Sequence, residues 1–165
     1  MKKLMIAAFA VFAFAQVNAQ EFKGGINLGL PVGDAGDAYT FNITADLSYL
    51  WDVADSFQAG LATGLSYNFG DSIDLGEFGS FDVDDALFLP IAGAARYSFT
   101  DDFAVGVDLG YAIGLSPSGN DGGFYYAPRL EYSFSDSLDL VAAYRGISLD
   151  GGSFDVLTLG LQFGF

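Results

Sequence analysis

The stretch Thr158-Leu-Gly-Leu-Gln-Phe-Gly-Phe165 decides how this chain folds. Leu157, Leu159, Leu161, Phe163 and Phe165 fall at every second position, with Thr158, Gly160, Gln162 and Gly164 between them. Successive side chains of a strand point to opposite faces, so this segment is a strand with one apolar face and one small, polar face. An apolar face of that length must be covered by something.

The same period recurs upstream. Eight segments alternate, over 22–32, 39–53, 57–69, 87–99, 103–115, 124–134, 138–149 and 154–165. Each is close to the roughly 9–11 residues that a tilted strand needs to cross a bilayer. The fifth is the cleanest: Phe103, Val105, Val107, Leu109, Tyr111, Ile113 and Leu115 alternate with Ala104, Gly106, Asp108, Gly110, Ala112 and Gly114. Phe88 in the fourth, and Val141 and Ile147 in the seventh, fall on the otherwise polar face, so a bulge or register shift is expected in the seventh. Pro31, Pro90 and Pro128 each remove a ladder hydrogen bond, and bulges or frayed strand ends are expected there.

The chain is 52% hydrophobic, yet beyond residue 19 the longest apolar run is 86–95, interrupted by Pro90. In hydrocarbon only helices and closed barrels satisfy their backbone groups. Hydrophobicity dispersed by alternation therefore predicts an all-β fold: a single eight-stranded antiparallel up-and-down transmembrane β-barrel over residues 20–165. Residues 1–19 read differently. Lys2-Lys3, an apolar stretch from Leu4 to Ala15 and the small residues around Ala19 form a secretory signal peptide, cleaved after Ala19. The absence of cysteine leaves stability to pairing and packing.

The connections 54–56, 100–102 and 135–137 are tight, whereas those after the first, third, fifth and seventh segments carry more Gly and Asp, the longest being 71–85. Short turns at one end and loops at the other place both termini in the periplasm. Two aromatic girdles fit this polarity. Tyr49, Trp51, Phe57, Tyr97, Phe99, Phe103, Tyr132, Phe134 and Phe165 gather near the turns; Tyr39, Phe41, Tyr67, Phe69, Tyr111, Phe124 and Tyr126 gather near the loops.

Charge separates this barrel from a soluble ligand carrier, whose outer face would be long and polar. Without Lys2 and Lys3 the chain keeps four bases, Lys23, Arg96, Arg129 and Arg145, against 21 acids, a net charge of −17. By strand parity all four bases face inward, together with Asp46, Asp108, Glu131 and Asp139. An eight-stranded interior is just wide enough to be filled by side chains, and a cation there must be paired. These eight residues are expected to form a salt-bridge network plugging the barrel at mid-depth, with a gate or selectivity element as the alternative role.

The remaining acids crowd the loops, notably Asp71, Asp74, Glu77, Asp82, Asp84 and Asp85. Such a rim argues against nucleic acid and disfavours anionic ligands. Asp82, Asp84 and Asp85 have the chemistry for Ca²⁺ or Mg²⁺ but no defined loop signature, and a solvated negative surface is the expectation. With no His and no Cys the chain lacks the usual nucleophile systems and zinc sites. Neither catalysis nor a cofactor is expected.

Thr158, Gly160, Phe163 and Phe165 resemble the C-terminal signal by which outer-membrane barrels reach their assembly machinery. Together with the eight segments, the Pro-bearing 87–91 stretch and the Tyr-Ser-Phe strand ends at 97–99 and 132–134, the chain resembles the small OmpA/OmpX-type outer-membrane β-barrels. That resemblance implies a monomer in outer-membrane lipid with a structural, adhesive or minor channel role. The expectation is a structural or surface-interaction function through loop 71–85 and an unknown partner. Alternatives are a narrow, weakly cation-preferring channel, or a carrier for small hydrophobic molecules suggested by inward Phe88, Val141 and Ile147.

Overall fold

The computed structural model describes residues 20–74 and 80–165; the expected signal peptide and Glu77 lie outside the described residues. In chain order the strands are β1 (Gln20–Val32), β2 (Tyr39–Ala54), β3 (Phe57–Gly70), β4 (Ser72–Asp74), β5 (Ser80–Asp82), β6 (Ala86–Ser98), β7 (Phe103–Ser116), β8 (Gly123–Ser135), β9 (Leu138–Leu149) and β10 (Gly152–Gly164). Eight of them form one closed antiparallel barrel in the order β1-β10-β9-β8-β7-β6-β3-β2, and β4 and β5 make a small separate hairpin. Closure runs through β1 and β10, from Lys23 opposite Gly164 to Val32 opposite Asp155. Closing the sheet removes both edges, which is what a bilayer demands.

Burial follows the period-2 pattern. Leu30, Leu61, Ile26, Ile91 and Leu159 are each more than half exposed, whereas Asn27, Asn42, Thr44 and Asn68, of the opposite parity on their strands, are fully enclosed. Apolar outside and polar inside is the arrangement that lipid requires.

Several details differ from expectation. β9 pairs with β10 without a shift from Leu138 to Leu149, so Val141 and Ile147 face the interior in regular register and no bulge explains them. The prolines interrupt hydrogen bonding locally. β3–β6 pairing lapses between Thr63–Ile91 and Ser66–Phe88, around Pro90, and β8–β9 pairing lapses between Tyr126–Gly146 and Arg129–Ala143, around Pro128. Around Pro31, β1 has already stopped pairing with β2 after Gly29–Asn42. The register shifts lie elsewhere, for example between Leu87 and Phe88.

The two ends of the barrel are also less different than expected. Three loop-end connections are long: one holds a 3-10 turn at Gly33–Asp37, one the β4–β5 hairpin, and one runs over 117–122. The last is only Asp150-Gly151, a tight turn in which Gly151 takes a φ of +101° that favours glycine. Tyr39 leaves the expected girdle as well. Its ring packs edge-on against inward-facing Phe154 at 4.9 Å.

Candidate functional site

The interior is stacked in tiers from the turn end, where the described chain begins and ends, to the loop end. At the turn end a vestibule of about 590 Å³ is lined by Glu21, Asp52, Asp101, Asp136 and Asp139, among others, and reaches in to Arg96 and Glu131. Near its floor Lys23 Nζ donates to Asp139 Oδ2 at 2.8 Å and lies 3.2 Å from Glu21. Ser133 Oγ donates to the other Asp139 oxygen at 2.6 Å.

The next tier is a ring of four alternating charges. Arg96 Nε donates to Glu131 at 2.7 Å and Arg96 Nη1 meets Asp108 at 2.8 Å. Arg129 pairs with the same Asp108 and stands 3.7 Å from Glu131. All four side chains are buried. Gly106 makes room for this ring: a Cβ there would stand 2.4 Å from Arg96 Cδ. Each charge has neighbours of opposite sign, which offsets part of the cost of desolvating it; Arg96 Nη2 and Arg129 Nε find no hydrogen-bond partner.

Above the ring, the Arg145 guanidinium grips Asp46 through two hydrogen bonds of 3.0 and 2.6 Å. Its Nε donates to Thr158 Oγ1 at 3.0 Å, and Nη1 donates to the Tyr125 hydroxyl at 3.2 Å. Asn27 Nδ2 donates to Asp46 at 2.9 Å. The fork geometry of arginine suits such a two-oxygen acceptor.

At the loop end the lumen turns apolar. Phe88, Tyr125, Ile147, Phe154 and Val156 form a buried cluster with Ala35, contributed by the 3-10 turn that folds inward. The void beneath this cluster is about 10 Å³, room for about one water. A second void, beside Asp46, Asp108 and Arg129, is equally small.

All eight charged residues singled out from the sequence thus face the lumen, but in three groups rather than one web. Glu21 joins them, and its position just inside β1 gave little reason to single it out. Tyr125, Phe154 and Val156 were readable: each sits between two outward residues, and only their apolar character disguised an interior role. Of the C-terminal residues, Thr158 serves Arg145, whereas Gly160 lies against Asn27. Phe163 and Phe165 point outward. The Phe165 N–H donates to Phe22 O at 2.9 Å, and the two rings lie 6.0 Å apart.

In the acidic loop, Tyr67 donates its hydroxyl to Asp85, and the Gly70 N–H donates to the same carboxylate at 2.9 Å. These donors hold the Asp85 carboxyl below its ordinary range. Among the described residues no three acids gather closely enough to hold a metal ion.

The model of the outer membrane protein beta-barrel domain matches residues 4–165. Among solved structures, the attachment invasion locus protein Ail of Yersinia pestis, in complex with the heparin analogue sucrose octasulfate, is 13% identical. That match covers 90% of this chain and 100% of that one, with a TM-score of 0.59. OprG of Pseudomonas aeruginosa is 13% identical over 89% of this chain and 96% of its own, with a TM-score of 0.54. Neisserial surface protein A is 14% identical over 88% and 97%, with a TM-score of 0.52. At these identities the likeness is one of fold. No curated protein matches the chain.

Proposed function

The chain belongs to the family of the outer membrane protein beta-barrel domain, and from that premise we propose that it is a plugged barrel acting through its loops. Its loop end faces the exterior and both termini face the periplasm. One observation carries this reading: between vestibule and loops the lumen is filled by paired charges and then by packed apolar side chains, with voids of only about 10 Å³. A barrel that conducts needs a wetted path, and the small size of these voids speaks against one.

The longest connection at that end, 71–85, is exposed in its described residues. It presents Asp71, Asp82, Asp84 and Asp85 around Phe81, which is 62% exposed. Acid with an exposed aromatic suits a neutral or basic partner surface. Ail was captured with a polyanion; the loop acids here oppose that kind of ligand. We assign no catalytic role, because the lumenal carboxylates are engaged in ion pairs.

A second reading, a narrow cation-preferring channel, draws on the acidic vestibule. The carrier reading is weaker, because Phe88 and Ile147 pack into the apolar cluster and Val141 is enclosed. The test is ion conductance of the refolded protein in a planar bilayer. Silence from a folded barrel is the expected result. Discrete cation-selective openings, altered by Arg96→Ala, would replace the plug with a gate.

A further inference from the structure

The lumen holds two voids of about 10 Å³ each, and they differ in what lines them. The one at the loop end is bordered mainly by apolar groups such as Phe88, Ile147, Phe154 and Val156. Its polar neighbours Ser66, Tyr125 and Arg145 are already hydrogen-bonded, and a cavity of that character stays dry. The other void lies between the two charged tiers. Asp46 reaches it from the Arg145 tier, Asp108 and Arg129 from the ring, and Ser48 from the next inward position on β2.

Three of the residues lining this second void carry buried polar atoms that find no hydrogen-bond partner among the described residues: Ser48 Oγ, Asp108 Oδ1 and Arg129 Nε. All three residues are buried, out of reach of bulk solvent. Asp108 Oδ1 does stand 2.8 Å from Arg96 Nη1, an ion-pair contact without hydrogen-bond alignment. Buried polar atoms are nearly always paired, so three without partners around one void point to a partner that they share.

The chemistry of the lining selects that partner. Arg129 Nε only donates, the ion-paired Asp108 carboxylate only accepts, and the Ser48 hydroxyl does either. Asp46 takes three hydrogen bonds, two from Arg145 and one from Asn27, and a carboxylate has capacity for about four. A metal ion would sit against the Arg129 N–H and its positive charge, so the site disfavours one. Asp46, Asp108 and Glu131 already balance Arg96, Arg129 and Arg145, and only a neutral occupant keeps that balance. It must also both donate and accept, in room for about one water.

We propose that this void is a binding site for a single internal water molecule that bridges the two charged tiers. The water accepts from Arg129 Nε and Ser48 Oγ, and donates to Asp108 Oδ1 and the Asp46 carboxylate. Two donors and two acceptors match its full hydrogen-bonding capacity. Such a bridge is nearly as good as a direct hydrogen bond, and it links the ring to the Arg145–Asp46 pair without admitting bulk solvent. The site adds to the plugged-barrel reading and stands whether or not the barrel conducts.

The experiment is a high-resolution crystal structure of the refolded protein beside that of Ser48→Val, whose added methyl groups fill the void. One density peak is expected in the unsubstituted protein between Ser48, Asp108 and Arg129, with neighbours at about 2.7–3.2 Å, and none in Ser48→Val. In solution, water-selective NMR should give a cross peak between this water and the Arg129 Nε–H, lost in Ser48→Val. An empty void in the unsubstituted protein overturns the proposal, as does an ion with oxygen neighbours at about 2.0–2.6 Å. A water that persists in Ser48→Val also overturns it. If that variant does not fold, the unsubstituted protein decides alone. Conductance plays no part in this test, so its failure is separate from failure of the plugged-barrel reading.

Discussion

The two ends of the lumen solve the same filling problem with opposite chemistry. At the turn end, Lys23, Glu21 and Asp139 border an open polar vestibule, where water can share the cost of each charge. At the loop end, Phe88, Ile147, Phe154 and Val156 pack together in the bore without ions. Between them sit Arg145–Asp46 and the Arg96–Asp108–Arg129–Glu131 ring, whose Arg96 and Glu131 still border the vestibule. Burial, rather than the number of ion pairs, should therefore decide what each one contributes.

The sharpest way to break this comparison is Arg145→Ala. It strands Asp46 in the filled middle and should destabilise the barrel by about 4 kcal/mol, measured by urea-dependent refolding into lipid vesicles. A loss below about 1 kcal/mol would mean that water reaches this tier. Phe154→Ala at the dry end should cost somewhat less, about 3 kcal/mol for the cavity it leaves. It should also be the substitution most able to let ions pass in a planar bilayer. Lys23→Ala leaves Asp139 beside the vestibule with Ser133 and Gln162 still donating to it, and should cost less, about 1 kcal/mol, because water entering there screens the remaining charge. If it matches Arg145→Ala, the vestibule is not wet.

The smallest effect concerns the loop. Asp85 has its folded-state carboxyl held below the ordinary value of 3.8. A depressed folded value contributes stability that is present above the unfolded value and lost as pH falls through the folded one. The Tyr67–Asp85–Gly70 contact should therefore hold at neutral pH and release only as pH falls below the ordinary carboxyl value of 3.8. Amide exchange at Gly70 across that range would show it, and Asp85→Asn should remove the pH step.

Much of the barrel was legible because a strand's period is two. Once Leu157 to Phe165 set the parity, the inward direction of Lys23, Arg96, Arg129 and Arg145 followed from counting. The same count places Tyr125, Phe154 and Val156 inside, but their apolar nature matched the outer face and hid a dry end. Val141 and Ile147 looked like a slip in register for the same reason, although β9 is regular. The Asp150-Gly151 connection has the composition of the loops yet only two residues between strands, so composition overstated its length.

Taken alone, the sequence determined the strands, their faces and the list of charges that must find partners inside. Only closure of the barrel decided which partner each one found. Lys23 meets Asp139 across 116 residues and Arg145 meets Asp46 across 99, pairs that depend on the joining of β1 to β10 and on the tilt of every strand between. Parity is a property of one strand and survives in one dimension. Depth along the lumen is set by the stagger of eight strands, and depth is what separates an ion pair that lines the vestibule from one beneath it.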